Sequence, residues 1–264
     1  MKIQVLLATM FFQDEEENYL TDMNIQTDII IGNQCDITKD EFVDFNGYNV
    51  KILSRNERGV GKNRNLALFN SDADVVVFAD NDIHYYDNYK SIIEEYYNSH
   101  PKADVVIFNF KEILKDGSHD INTKNKKAGL RDLTKFGTHA ITAKRASIIK
   151  NRISFSVLFG GGATYSCGED SLFLKDCHSK GLNIYLCDKT LGEIIPRKST
   201  WFNGITEKYV YDKGALFKAM KPKLYLPVII YHAVKHRTKY REFGPLKLII
   251  KTMLKGAKGY DNAI

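Results

Sequence analysis

Val75 to Tyr86 reads VVVFADNDIHYY, an apolar run that closes on two aspartates, Asp80 and Asp82, with one residue between them. Like charges this close repel unless something positive joins them. A hard divalent cation, Mg2+ or Mn2+, takes oxygen ligands; held by one or two carboxylates, it completes its shell with water and substrate phosphate. Asp-Asn-Asp is also ordinary turn chemistry, so the tripeptide alone leaves a solvated turn and a metal-phosphate site both open.

Two more clusters carry chemistry. NERGVGKNRNLAL, Asn56 to Leu68, is a loose turn entering a helix with Arg58, Lys62 and Arg64 near its positive end, which suits an anion. It is not a P-loop, because Asn63 follows Lys62 where Ser or Thr belongs, and Arg64 takes the place of the third glycine of a dinucleotide fingerprint. A capped surface helix with basic residues is the plainer reading. GGGATYSCGEDSLFL, Gly160 to Leu174, opens a helix on adjacent acids, Glu169 and Asp170. Acids in a first helical turn are stabilised by the dipole; beside a cavity, one of them can serve as a general base. His84, just past the aspartates, is a weaker candidate for a ligand or phosphate contact.

The elements that must hold these residues alternate. KIQVLLAT, TDIIIG, NVKILS, DVVVFAD and DVVIFNF are short β-branched runs, and helical patterns such as GVGKNRNLALFNS and YDNYKSIIEEYYNSH lie between several of them. This predicts an α/β fold with a mostly parallel central sheet flanked by helices. DVVVFAD is apolar on consecutive positions, as a strand buried on both faces is, and ligands of such sheets bind at the carboxyl ends of the strands, where Asp80 and Asp82 fall. Residues 111–127 turn polar and read as an excursion. A strand into a helix follows in GTHAITAKRASIIKNR, then the glycine-rich loop and its helix, then a strand in LNIYLCD.

With 264 residues and 44% hydrophobic content, the chain has enough material for a substantial core. No apolar run is long enough to span a membrane and no leader is evident, so a cytoplasmic protein, soluble or peripheral on the inner face of a membrane, is expected. The four cysteines form no CxxC pair and read as reduced thiols in or near the core. The net charge of +6 is polarised, with acids near the start and lysines and arginines crowding the end.

In their order and spacing these elements resemble the inverting glycosyltransferases of family 2, with the GT-A nucleotide-diphospho-sugar transferase fold, over roughly Lys2 to Asp188. IQVLLAT resembles the opening strand, which implies Thr9 beside the nucleotide. IIIGNQCD matches the place where family members carry an aspartate against uracil; this chain has Asn33, with Asp36 further on. GVGKNRNLAL resembles the family's Ala-Arg-Asn-rich helix, with Arg64 in the arginine position. FADNDIHY resembles the D-x-D, implying Asp80 near the ribose and Asp82 as ligand to Mn2+ or Mg2+ on the diphosphate. CGEDSLFL resembles the E-D motif, implying Asp170 as catalytic base, with Glu169 in reserve.

The resemblance implies a core over residues 1–195 that transfers a hexose or N-acetylhexosamine from a UDP-sugar. The acceptor would be a saccharide, lipid-linked, in bacterial cell-surface polysaccharide synthesis. Residues 196–264 form an acceptor-side and basic amphipathic extension. There Trp201, Phe202, Tyr209 and Tyr211 are candidates to line an acceptor site, or to pack between core and tail. In PLKLIIKTMLKG, Leu246, Ile249, Ile250, Met253 and Leu254 share one helical face with lysines toward another, which fits either a docked terminal helix or an element on anionic lipid. No recognised nucleic-acid motif accompanies the charge. Two other readings stand beside this one. A haloacid-dehalogenase-type phosphatase also ends a strand in D-x-D but places it after the first core strand, and a non-catalytic sugar-nucleotide-binding scaffold would share the fold.

Overall fold

Consecutive β-branched residues bury both faces of a strand, and they do so at the centre of this fold. A computed structural model of the chain describes residues 1–12, 17–112, 124–195 and 204–263. Most of the polar excursion, together with Trp201 and Phe202, lies outside the described residues.

Strands β1 (Ile3–Met10), β2 (Asp28–Gln34), β4 (Tyr48–Arg55) and β5 (Val75–Asp80) run parallel, with β1 between β2 and β5. Val5, Leu7, Val76, Val77 and Phe78 are wholly buried there. β3 (Lys39–Phe45) pairs antiparallel with β4 at one edge. Beyond β5 the sheet continues through β9 (Ile141–Lys144), β7 (Val105–Glu112), β10 (Ile184–Ile194) and the short β6 (Ile83–Tyr85). β9 lies antiparallel between β5 and β7, so a segment late in sequence enters the middle of the sheet. β8 (Lys126–Lys127) pairs with β10 off this path.

Helices α1 (Glu17–Asp22), α2 (Val60–Asn70), α3 (Tyr89–Ser99), α4 (Arg145–Lys150) and α5 (Glu169–Ser179) accompany the sheet. α2 is unusual in what it turns inward: Asn63 and Arg64 are buried beside Ala67 and Leu68. Burying polar side chains is costly without partners, so their positions mark a network to be accounted for. All four cysteines are free, and Cys35, Cys177 and Cys187 are buried.

After β10 come three helices, α6 (Glu207–Met220), α7 (Tyr225–Lys235) and α8 (Leu246–Asp261), with their own apolar cluster around Val210, Ile229, Tyr240, Ile249 and Met253. α6 and α8 meet backbone to backbone. A Cβ on Gly214 would collide with the Met253 carbonyl, and one on Gly256 with the Tyr211 carbonyl, so glycine is what lets the pair close. The last helix packs on the others through Ile249, Met253 and Ala257, while Lys247, Lys251 and Lys255 are exposed.

Candidate active site

Arg64 is the hub of the site. It sits one turn into α2, is 5% exposed, and reaches in two directions: one terminal nitrogen lies 2.6 Å from Asp80 Oδ1 and the other 2.8 Å from Glu169 Oε1. Its guanidinium also lies over the Phe155 ring at 5.6 Å, and Phe155 stacks on Phe173 of α5 at 4.2 Å. The neighbouring Asn65 accepts from the Phe155 backbone N–H at 2.7 Å and donates to its carbonyl at 2.9 Å. Asn63 donates to the carbonyls of Thr9 and Gly32, tying α2 to the ends of β1 and β2. Three consecutive residues thus fasten one helix to three strands, a loop and α5.

The positive charge at Asp80 is supplied by the protein. Burial alone would raise the Asp80 carboxyl, but Arg64 and His139 outweigh it and hold the group below its usual range. Burial likewise opposes the Arg64 charge, and Asp80 and Glu169 together overcome it. Asp82 lies in the turn between β5 and β6, where its backbone carbonyl accepts from Ile195 N–H at 2.7 Å, so the turn is pinned to the end of β10.

Glu169 and Asp170 open α5 after Gly168, whose φ of 111° is a left-handed conformation that suits glycine. Burial first, and the adjacent Glu169 second, push the Asp170 carboxyl up to about 6. The loop before them is anchored from α6: the wholly buried Asp212 accepts from Ser166 N–H at 2.9 Å and pairs with Lys208 at 2.8 Å.

A cavity of about 380 Å³ opens at the ends of β1, β2 and β4, lined by Phe11, Phe12, Asn33, Asp36, Ile37 and Ser54 among others. Asn33 lies on its wall with its side chain committed. Oδ1 accepts from Phe12 N–H at 2.9 Å, and Nδ2 donates to the Phe12 carbonyl and to Ser54 Oγ. Thr9 is buried opposite Asn33 in the β1–β2 register.

At the start of α2, two of the backbone donors expected to face an anion are already engaged. Gly59 N–H donates to Gln34 Oε1 at 2.7 Å and Val60 N–H to the Gly161 carbonyl at 2.9 Å, so these donors are taken. Arg58 pairs with Asp36 and Lys62 with Glu57, leaving Arg64 alone of the three turned inward. His84 is drawn away as well, its Nδ1 lying 2.6 Å from the Asp22 carbonyl. Tyr209 is in the first turn of α6, with Lys239 Nζ 3.4 Å from its hydroxyl and Lys213 over its ring at 5.4 Å. Tyr211 packs along α8, where a Cβ on Gly259 would meet its hydroxyl.

Two functional candidates escaped the sequence reading. His139, in a single 3-10 turn (Thr138–Ala140) before β9, is influenced by both Asp80 and Asp82, and burial more than offsets them to lower its basicity. Lys213 sits between Cys167 and Tyr209 and also feels Asp170; burial opposes its charge, and these neighbours keep it raised. One histidine in GTHAI and one lysine among many carry no local signal; only the fold brings them here.

Residues 24–159 match the family described as glycosyl transferase family 2, and the chain belongs to that family. The matched stretch holds Asn33, Arg64, Asp80, Asp82 and His139 and ends before Glu169 and Asp170, which meet it in space through Arg64. Among solved structures the chain is similar to S. aureus TarS 1-349 in complex with UDP-GlcNAc, at 14% identity and a TM-score of 0.64, covering 100% of this chain and 92% of that one. The complex of the same protein with UDP gives 15% identity and 0.62 over the same shares. The mannosyltransferase PcManGT from Pyrobaculum calidifontis, in complex with GDP-Man and Mn2+, gives 12% identity and 0.54, covering 99% and 74%. These likenesses define a GT-A glycosyltransferase fold. No curated protein matches the chain in sequence. The phosphatase reading loses its footing, since β5 lies deep in the order of strands and the family is now fixed.

Proposed function

We propose that the chain is an inverting glycosyltransferase. It moves a hexose or N-acetylhexosamine from a UDP-sugar to a saccharide acceptor, lipid-linked, in bacterial cell-surface polysaccharide synthesis. The observation that carries this reading is Arg64 held between Asp80 and Glu169, which joins the strand-end aspartates to the acids of α5 in one site. The structurally similar TarS binds UDP-GlcNAc, which favours a UDP-sugar donor.

Among the described residues no three His, Cys, Asp or Glu side chains gather into a metal cage. The donor set nevertheless fits Mn2+ or Mg2+, which need only one or two carboxylates when a diphosphate supplies further oxygens. Asp82 would hold the ion, with Asp80 kept in place by Arg64, and the structurally similar PcManGT carries Mn2+. When bound, the ion acts as a Lewis acid toward the departing diphosphate. The cavity beside Phe12 and Ser54 takes the nucleoside, with Asn33 shaping its wall and Thr9 buried behind it. Asp170 takes the proton of the acceptor hydroxyl as that oxygen bonds to the anomeric carbon and the bond to the diphosphate breaks on the opposite face. With a pKa raised to about 6, it is a better base than a solvated carboxylate and still ionised at neutral pH. Glu169 keeps Arg64 turned toward Asp80. Residues 1–195 serve as the donor-binding core and 196–264 as the acceptor-side extension, with Tyr209 and Lys213 toward the acceptor.

Calorimetry of UDP, GDP and several UDP-sugars, with and without Mn2+, on wild type and Asp82→Ala, tests the reading. UDP binding that requires Mn2+ and weakens in Asp82→Ala is expected. Binding by no nucleotide, or binding without turnover of any donor, would overturn it, the second outcome leaving the non-catalytic scaffold.

A further inference from the structure

The docking of α8 leaves another surface exposed. α7 turns Ile229 and Ala233 inward, both wholly buried, and presents Leu226 (45% exposed), Ile230 (44%), Tyr231 (64%) and Val234 (54%) to the outside. Spaced at i, i+4 and i+8 with Tyr231 beside them, these four residues and Pro227 share one face, which Leu224, 59% exposed, extends at its start. Isolated apolar residues on a surface are ordinary, whereas a contiguous stripe along a helix is not. Among the described residues this face takes no part in the cluster around Tyr240, which the opposite face completes.

Charge decides what fits the stripe. From Lys221 to Lys258 the chain carries ten lysines and arginines against one acid, Glu242. Lys223 precedes α7; Lys235, Arg237, Lys239 and Arg241 follow at its other end, all exposed. With 11 residues, α7 is about 16 Å long, roughly half the hydrocarbon thickness of a bilayer. No helix among the described residues is long and apolar enough to cross a membrane. A second copy of the chain is a poor occupant. A two-fold contact through α7 would bring both sets of cations together, and one short stripe falls well below the 20–30 residues per side of a standard interface.

We infer that the outward face of α7 is a peripheral docking surface for an anionic lipid bilayer, with Leu226, Ile230, Tyr231 and Val234 entering the interface and the flanking cations meeting lipid headgroups. An amphipathic helix lying in the interface combines apolar burial with attraction to anionic lipid. The inference rests on this face alone, so it stands or falls apart from the reaction proposed above.

The test is co-sedimentation of the full chain with vesicles of phosphatidylcholine, with or without phosphatidylglycerol. The variants are Ile230→Glu/Val234→Glu on α7 and, for comparison, Lys251→Glu/Lys255→Glu on α8. Both pairs are on or near the exposed surface, and a thermal melt confirms folding. Wild type is expected to bind the vesicles containing phosphatidylglycerol, less so as salt rises. The α7 variant should lose about tenfold or more in partitioning, and the α8 variant only a small part. No binding by wild type, full binding by the folded α7 variant, or a wild-type dimer in sedimentation that the α7 variant abolishes would each overturn the inference, the last assigning the face to self-association. UDP-sugar turnover without vesicles, measured on the α7 variant, is expected to be unchanged and separates a failure of docking from a failure of the proposed reaction.

Discussion

Arg64 and Glu169 lie 105 residues apart in the chain and 2.8 Å apart in the fold. The contact crosses from the helix after β4 to the helix after the glycine-rich loop, and it closes over Asp80. Because Arg64 is almost wholly buried, the bridge is protected from the screening that makes surface ion pairs weak, and removing one partner leaves uncompensated charge. Arg64→Met is accordingly expected to lower stability by about 2–4 kcal/mol in urea unfolding and to reduce kcat/KM about 100-fold or more. Adding Glu169→Gln should return part of the stability and none of the activity. Full activity in Arg64→Met would remove Arg64 from the site's architecture.

As the proposed base, Asp170 would set an acid limb. A base must be ionised to act, so with its pKa raised to about 6, kcat/KM should fall as pH drops through that value and level off above it. Asp170→Asn should nearly abolish transfer while leaving donor affinity largely intact. A limb at the ordinary carboxylate value of about 4 would contradict the burial argument.

The same shift has a stability consequence of opposite sense. A carboxyl raised in the folded state favours its protonated form there, so its contribution is fully present below the unfolded value and is lost as pH rises through about 6. Asp170→Asn should therefore be more stable than wild type at neutral pH, by about 1–3 kcal/mol, with the difference vanishing near pH 4. Melting temperatures of both proteins across this range decide the matter.

Asp212 is wholly buried, and its hydrogen bond to Ser166 N–H holds the loop that delivers Asp170. Its partner Lys208 is largely exposed, so the loss in Asp212→Ala comes mainly from the unsatisfied amide, about 1–3 kcal/mol. Hydrogen exchange at Ser166 should accelerate, and turnover should fall more than donor binding does.

Much of this was legible in the sequence wherever a residue's surroundings are local. β1, β2, β4, β5 and β7 announced themselves as β-branched runs, and the placement of Asp80 at a strand end and of Glu169 and Asp170 at a helix start followed from those limits. β3 did not, because KDEFVDF is an edge strand whose residues are mostly exposed, and such a strand resembles a polar loop. The start of α2 was not legible for a different reason: its basic residues fit an anion site, but Gln34 and Gly161, distant in sequence, occupy two of its backbone donors. His139 became a neighbour of the aspartates only because β9 inserts between β5 and β7, a pairing no local pattern encodes.

The close seating of α8 on α6 bears on how the chain can be cut. Gly214 and Gly256 let the two backbones touch, and α6 carries Asp212, which steadies the approach to Asp170. Truncation after Lys221 would strip α6 of its apolar neighbours and expose Val210, so a shortened chain would lose its footing at the loop before Asp170 along with its basic end. The terminal helix is a buttress, and the tail is better dissected by surface substitution than by deletion.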